Sequence, residues 1–170
     1  MTTLDPARTA LVLIDLMDRI VANPLGPRPG SEVVAASLQL AEAFRAAGAP
    51  VVAVRVERPN VAEQPPGSAL VTEVEAVADE VVVKRTIGAF HGTGLHELLR
   101  QRGVDTLVLG GIATNLGVES TARAADDHGY RLVFVEDAMS ALTAQEHRAS
   151  VELDFPRLGE VVGLAEVTFG

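Results

Sequence analysis

Hydrophobic positions in this chain form short unbroken runs, separated by stretches in which apolar residues return every third or fourth place. Thr9–Leu16 (TALVLIDL) is apolar without polar alternation and ends in a carboxylate, the pattern of a strand covered on both faces. Pro50–Arg55, Glu80–Lys84, Thr106–Gly110 and Arg131–Glu136 predict four more strands, and Glu160–Leu164 a short sixth. Between them, Ser31–Ala47 carries the helical period, with Ser31 as N-cap and Gly48 as stop. Gly94–Arg102 predicts a short helix stopped by Gly103, and Leu116–His128 one stopped by Gly129. Thr143–Leu153 predicts a helix with Thr143 and Glu146 as a reciprocal cap. Glu57–Ser68, rich in proline, reads as a long loop. Strands alternating with helices of this length predict an α/β fold: a doubly wound parallel sheet of about six strands, with helices on both faces. The 170 residues suit one domain over 1–170.

Composition narrows the function. Apolar residues make up 48% but aromatics only 4%, so the core is aliphatic. A net charge of −9, with no block of Lys or Arg, excludes a surface that binds nucleic acid by neutralising phosphates. The absence of cysteine removes disulfides, a thiolate nucleophile and any cysteine-based zinc site. Met1–Arg8 shows no export signal and no apolar run is long enough to span a bilayer, so a cytoplasmic protein that does not engage a membrane is expected.

In a doubly wound sheet, ligands sit at the carboxyl ends of the strands where strand order reverses. That rule selects Asp15 and Asp18, then Arg55, Glu57 and Arg58, then Lys84 and Arg85, then Gly110–Gly117, then Asp137. A carboxylate, a lysine and backbone amides at a helix start would converge from distant strands. Taken singly, Asp15 suits a turn cap as well as it suits catalysis, Lys84 suits a surface, and Asp137 suits a loop-fixing role. GGIATNLG is neither a dinucleotide fingerprint nor a P-loop. The histidines (His91, His96, His128, His147) lack metalloprotease spacing. Three of them read as surface residues, whereas His91 follows Phe90 close to the lysine strand.

Read together, Gly111–Arg123 (GIATNLGVESTAR), Lys84–Phe90 (KRTIGAF), Gly92–Leu95 and Val133–Ala138 make the chain resemble the isochorismatase-like hydrolase superfamily over nearly its whole length. Amidohydrolases of that superfamily use an Asp, a Lys and a Cys. The resemblance places Asp15 and Lys84 at the first two and Gly117 at the cysteine. True isochorismatases carry glycine there too. They hydrolyse a vinyl ether, with the Asp as general acid protonating carbon before water attacks. Such an acid needs a raised pKa, which burial against Leu13 and Phe90 would favour and Lys84 would oppose. The chain departs from isochorismatases at Ala113–Thr114–Asn115, where they have an aromatic and a histidine, and at Gly88, where serine is common. TNLGVESTAR is nearer the amidohydrolase wording.

The resemblance further implies Phe90, Ala113, Thr114, Asn115, Leu116 and Val118 around a small-molecule substrate, and a non-proline cis peptide near Ile112–Ala113. It also implies a homodimer or homotetramer, with exposed apolar residues expected on the Leu116–Ala125 helix. Zinc-binding members use histidines after the second strand; Glu57–Gly67 has none, so no metal or other cofactor is expected. The leading reading is a small-molecule hydrolase in which Asp15 acts as general acid or base with help from Lys84. A catalytically inactive ligand-binding or regulatory relative stands second, and a purely structural role third.

Overall fold

A computed structural model describes residues 1–170. The strands are β1 (Thr2–Leu4), β2 (Thr9–Ile14), β3 (Val51–Val56), β4 (Glu80–Lys84), β5 (Thr106–Ile112), β6 (Arg131–Ser140), β7 (Glu160–Val162) and β8 (Val167–Phe169). The α-helices are α1 (Asp18–Val21), α2 (Gly30–Ala47), α3 (Thr72–Val77), α4 (Leu95–Gln101), α5 (Glu119–Asp127), α6 (Ala144–Ala149) and α7 (Phe155–Leu158). A π-helical turn, Thr114–Val118, leads into α5, and another, Ser150–Asp154, joins α6 to α7. Six strands form one sheet in the order β4-β3-β2-β5-β6-β7, every pair parallel. No helix is long and apolar enough to cross a membrane.

All six residues of β2 are buried, and their alternation builds two cores. Leu11 and Leu13 face one side, with Val51, Ala53, Val108 and Val133, against Val33, Leu40 and Phe44 of α2. Ala10, Val12 and Ile14 face the other, with Val52, Val54, Leu107 and Leu109, against Leu95 and Leu99 of α4 and Ala122 and Ala125 of α5. Period-2 geometry sends alternate residues to opposite faces. A strand at the sheet centre must therefore be apolar at every position, which is why Thr9–Leu16 shows no alternation.

Several boundaries differ from the sequence expectation. Helix α2 starts at Gly30 behind the extended Pro29, so Ser31 lies inside the first turn and caps nothing. Gly30 presses on the segment before it: a Cβ there would lie 2.2 Å from the carbonyl oxygen of Val21. The third strand is shifted by one residue, and β5 and β6 run further than their hydropathy suggests. After an irregularity between Leu109 and Gly111, pairing resumes as Gly111↔Met139 and Ile112↔Ser140, carrying β6 through the polar Glu136–Asp137 step. Thr143 caps its helix as expected, its hydroxyl accepting from the Glu146 amide at 3.2 Å, but the reciprocal bond to the Thr143 amide does not form: the Glu146 carboxylate accepts from the same hydroxyl at 2.8 Å. A small two-stranded sheet of β1 and β8 joins the chain ends, and α1 and α3 also lay outside the sequence reading.

Where β5 passes the end of β2, the backbones approach too closely for any side chain. Gly111 has φ +128°, and a Cβ on it would sit 2.1 Å from the Ile14 carbonyl oxygen. Both the conformation and the contact require glycine. Gly111→Ala is expected to destabilise the fold by about 4 kcal/mol, at the severe end for a point substitution, read as a lowered urea midpoint with the unfolding slope unchanged.

Candidate active site

Three chain segments converge at the carboxyl end of the sheet. Strand order reverses between β2 and β5: β3 and β4 lie to one side, β6 and β7 to the other. Asp15 makes the last ladder bond of β2, its amide donating to the Val54 carbonyl at 2.8 Å. The chain then turns sharply through φ +54° at that residue. Few residues besides glycine enter this left-handed region, and aspartate is among them. The turn buries the Asp15 side chain to 8% exposure.

Lys84 ends β4, two strands away, a lateral separation of about 10 Å. Its long unbranched stem spans the end of β3, and its Nζ lies 2.9 Å from Asp15 Oδ2, with the side chain 2% exposed. The ammonium also donates to the carbonyl of Ile87. Asp15 Oδ1 is buried without a hydrogen-bond partner. Burial raises the Asp15 carboxyl above the ordinary carboxylate range. The charge and hydrogen bond of Lys84, and more weakly the charge of Arg19, oppose this without cancelling it.

The third segment is the turn after β5. The Ile112–Ala113 peptide is cis, as the resemblance implies. The Ala113 carbonyl accepts from the amides of Leu116 and Val118, at 3.1 and 3.3 Å. Gly117 faces the ion pair closely: a Cβ built on it would lie 3.3 Å from Asp15 Oδ2, 3.4 Å from Lys84 Nζ and 2.9 Å from Ile14 Cγ2. Thr121, one helical turn on, is fully buried. Its hydroxyl donates to the Gly117 carbonyl at 2.7 Å and accepts from the Ala89 amide at 3.1 Å. That one hydroxyl ties the glycine turn to the loop that follows Lys84.

Above these groups opens a cavity of about 400 Å³. Asp15, Lys84 and Gly117 line it together with Ile20, Leu25, Val56, Ile112, Ala113 and Leu142, a mainly aliphatic wall to which Asn23, Arg85 and Thr86 add polar groups. Leu116, Ile87 and Leu142 also reach it and are 44%, 60% and 53% exposed, so they form its apolar rim. The segment carrying Ile20 and Leu25 is brought to Leu142 by paired backbone bonds between Gly26 and Ala141, both 2.9 Å.

Of the residues expected from sequence, Asp15, Lys84, Gly117, Ala113 and Leu116 share this cavity, and Phe90, Thr114, Asn115 and Val118 do not line it. Phe90 packs in the core against His128 and Tyr130. Val118 is wholly buried on the same side of the sheet. Thr114 is wholly buried and bonded to His147, and the Asn115 carboxamide oxygen is buried without a partner. The π turn causes this, because it rotates Thr114 and Val118 inward while presenting Ala113, Leu116 and Gly117 to the cavity. Leu13, expected against the acid, lies in the α2-side core, and Ile14 is the aliphatic neighbour of the glycine turn.

Asp137 Oδ2 accepts from the Leu164 amide, the expected loop-fixing role. Arg55 and Arg85 both pair with Glu57, at 2.9 Å each, and of these three only Arg85 reaches the cavity. His91 is exposed, whereas His147, expected at the surface, is buried. Around Leu116–Ala125, Ala122 and Ala125 face inward, leaving Leu116 as the exposed large apolar residue of that stretch. Sequence reasoning missed Ile20, Leu25 and Leu142, which lie outside its strands and helices. It also missed the clamping role of Thr121, whose one-turn spacing from Gly117 is the signal that could have found it.

Removing the lysine leaves a buried carboxylate alone. Lys84→Met is expected to destabilise the fold at pH 7 by about 3–5 kcal/mol. Without Lys84 the Asp15 pKa rises further, so the native state binds more protons than the unfolded chain in mildly acidic solution. The deficit should therefore shrink as pH falls through the raised native pKa, measured by urea unfolding at pH 7 and pH 5. A loss that stayed constant with pH would separate Asp15 from the effect.

Comparison with known proteins places this chain in a family. The Isochorismatase domain model matches residues 9–166. The chain is 40% identical to the uncharacterized isochorismatase family protein YecD of Escherichia coli O157:H7, covering 98% of each chain. It is 39% identical to the uncharacterized isochorismatase family protein YwoC of Bacillus subtilis (strain 168), covering 92% of this chain and 90% of that one. The structure of an isochorismatase family protein from Burkholderia thailandensis superimposes with a TM-score of 0.84 at 40% identity, over 97% of this chain and 95% of that one. This chain, which holds an acid and an amine over a glycine turn at the end of its parallel sheet, thus belongs to the isochorismatase family.

Proposed function

We propose that the chain hydrolyses a small molecule by proton transfer, with Asp15 as general acid or base, Lys84 as the group that orients and tunes it, and Gly117 standing where related amidohydrolases carry a nucleophilic cysteine. The observation that carries this reading is the space beside Gly117. A side chain there would touch both Asp15 Oδ2 and Lys84 Nζ, and all three residues line one cavity, so a substrate packed against the bare Gly117 backbone lies beside both groups. Glycine supplies no nucleophile, so bond cleavage must draw on water.

A buried carboxyl with a raised pKa suits donation of a proton to carbon or oxygen. For a vinyl ether, Asp15 would protonate the terminal alkene carbon and leave an oxocarbenium ion. Water adds to that ion and returns a proton to Asp15, and the hemiketal collapses to a ketone and an alcohol. Amides of the Ala113–Val118 turn are the candidate donors to developing negative charge. Those of Leu116 and Val118 are already engaged by the Ala113 carbonyl. The aliphatic wall supports a substrate with an apolar body. The exposed rim of Ile87, Leu116 and Leu142 supports association of copies of the chain as a homodimer or homotetramer.

The test is turnover of a panel of vinyl ethers, amides and nitriles by wild type and by Asp15→Asn. The substitution is expected to lower kcat by about 10²–10⁴-fold on whichever compound wild type cleaves. Full activity without the carboxyl overturns the mechanism, and binding without turnover by wild type would make the chain a ligand-binding relative instead. Gly117→Cys carries a second expectation. Its Cβ fits between acid and amine once Ile14 yields by a few tenths of an ångström, so amidase activity should appear where wild type has none.

A further inference from the structure

Thr114 opens the π turn, and its buried hydroxyl has one hydrogen-bond partner, Nδ1 of His147 on α6, at 2.7 Å. The other ring nitrogen, Nε2, lies 3.4 Å from Oε1 of Glu136 on β6. A carboxylate only accepts hydrogen bonds, so Nε2 carries the proton and Nδ1 presents a lone pair. The Thr114 hydroxyl is then the donor. These residue types resemble a nucleophile with its base and orienting acid, but Thr114 has no exposed surface from which to attack a ligand. What the chain of contacts can do is hold the turn.

We propose that His147, as its neutral Nε2–H tautomer, is a positioning residue that fixes the Ala113–Gly117 turn at the cavity through its hydrogen bond to Thr114. The inference rests on the reading of that turn as the substrate-facing wall. Without this bond the π turn is tethered on one side only, by Thr121 through the Gly117 carbonyl.

The surroundings of the imidazole favour its uncharged form. Burial holds His147 below the ordinary histidine range; Arg28 acts in the same direction, and Glu136 opposes both. Arg28 comes from the segment ahead of α2 and donates to the carbonyls of Glu136 and Met139, at 2.7 and 2.8 Å. Arg148 and Glu152, following His147 in the chain, border the same cleft of about 210 Å³. When His147 gains a proton, both ring nitrogens become donors. Nδ1–H then meets the Thr114 hydroxyl, which must turn its own hydrogen away, and no second acceptor for it lies within reach. Charging His147 therefore disturbs the turn.

The experiment is nitrogen-15 NMR of the full chain, following the His147 imidazole and the amides of Ala113–Gly117 from pH 8 downwards, with His147→Gln assigning the ring signals. At pH 8 the ring should show an unprotonated Nδ1. On acidification the Leu116 and Gly117 amides should move with the His147 midpoint. Thr114→Val should abolish that shared movement while His147 still titrates, and Thr114→Ser should keep it.

A protonated Nδ1 at pH 8, amides that stay still through the His147 midpoint, or shared movement that survives Thr114→Val each overturn the proposal. If the chain unfolds before His147 charges, the pH 8 tautomer and the displacement of the Gly117 amide by Thr114→Val, reversed in Thr114→Ser, decide it. Asp15→Asn shifts the neighbouring Gly117 amide but should keep the movement that the turn shares with the His147 midpoint, so failure of the hydrolytic reading is seen separately, as turnover that survives that substitution.

Discussion

The buried pair of Asp15 and Lys84 is the constraint around which the rest of the site is arranged. Bringing a carboxyl and an ammonium to 8% and 2% exposure removes both from most of their hydration, which no single contact at 2.9 Å fully offsets. The arrangement is tolerable because each partner is fixed before they meet. Asp15 is set by the final ladder bond of β2 and Lys84 by its register opposite Val56 at the end of β3. A parallel sheet places the ends of β2 and β4 on the same edge, and the intervening strand sets a gap that a lysine stem spans. Arginine would bring a wider, forked head to the same spot, and Gly117 leaves little room for one.

The turn beside that pair is held from two directions. Thr121 fastens the Gly117 carbonyl to the Ala89 amide, so the loop that follows Lys84 and the start of α5 move together. His147 fastens Thr114 from α6, an element otherwise remote from the ion pair. Between these ties lie Leu116 and Gly117, the residues that meet the cavity. The clamps are side-chain hydroxyls within the core, where a lost hydrogen bond costs most because no water replaces it. These two ties hold the cavity wall against the sheet edge it faces.

How much of this could be read from the chain follows from the range of each interaction. The six-stranded parallel sheet was legible because burial on both faces leaves strands without polar alternation, a signal carried by a few consecutive residues. The region of Asp15, Lys84 and Gly117 was legible because topology sends strand ends to one edge, and the resemblance singled out these three among the residues gathered there. The resemblance implied Phe90 and Val118 at the substrate. Val118 turns inward because a π turn forms in place of a regular helix, and one extra residue per turn is invisible to hydropathy. Phe90 packs with His128 and Tyr130, which are distant in sequence. His147 looked like a surface residue because its partners, Thr114 and Glu136, are distant in sequence. The pairing of β1 with β8 was hidden for the same reason: three-residue strands at opposite chain ends carry no local pattern.

Whether Asp15 does more than close a turn can be argued by comparison with other aspartates of the same chain. Asp5 Oδ1 accepts from the Ala7 amide at 2.9 Å, Asp79 Oδ2 from the Val51 amide at 2.8 Å, and Asp137 Oδ2 from the Leu164 amide. These are turn- and loop-fixing carboxylates, and each has a backbone donor. Asp15 has none. One oxygen meets Lys84, the other meets nothing, and the residue sits at positive φ inside an aliphatic cavity. The left-handed backbone makes the turn, but the buried acceptor without a donor opposes folding and contributes nothing to it. A ligand offering a hydrogen-bond donor or a basic atom would satisfy the free oxygen, and such a ligand has the same shape of requirement as a substrate waiting for a proton.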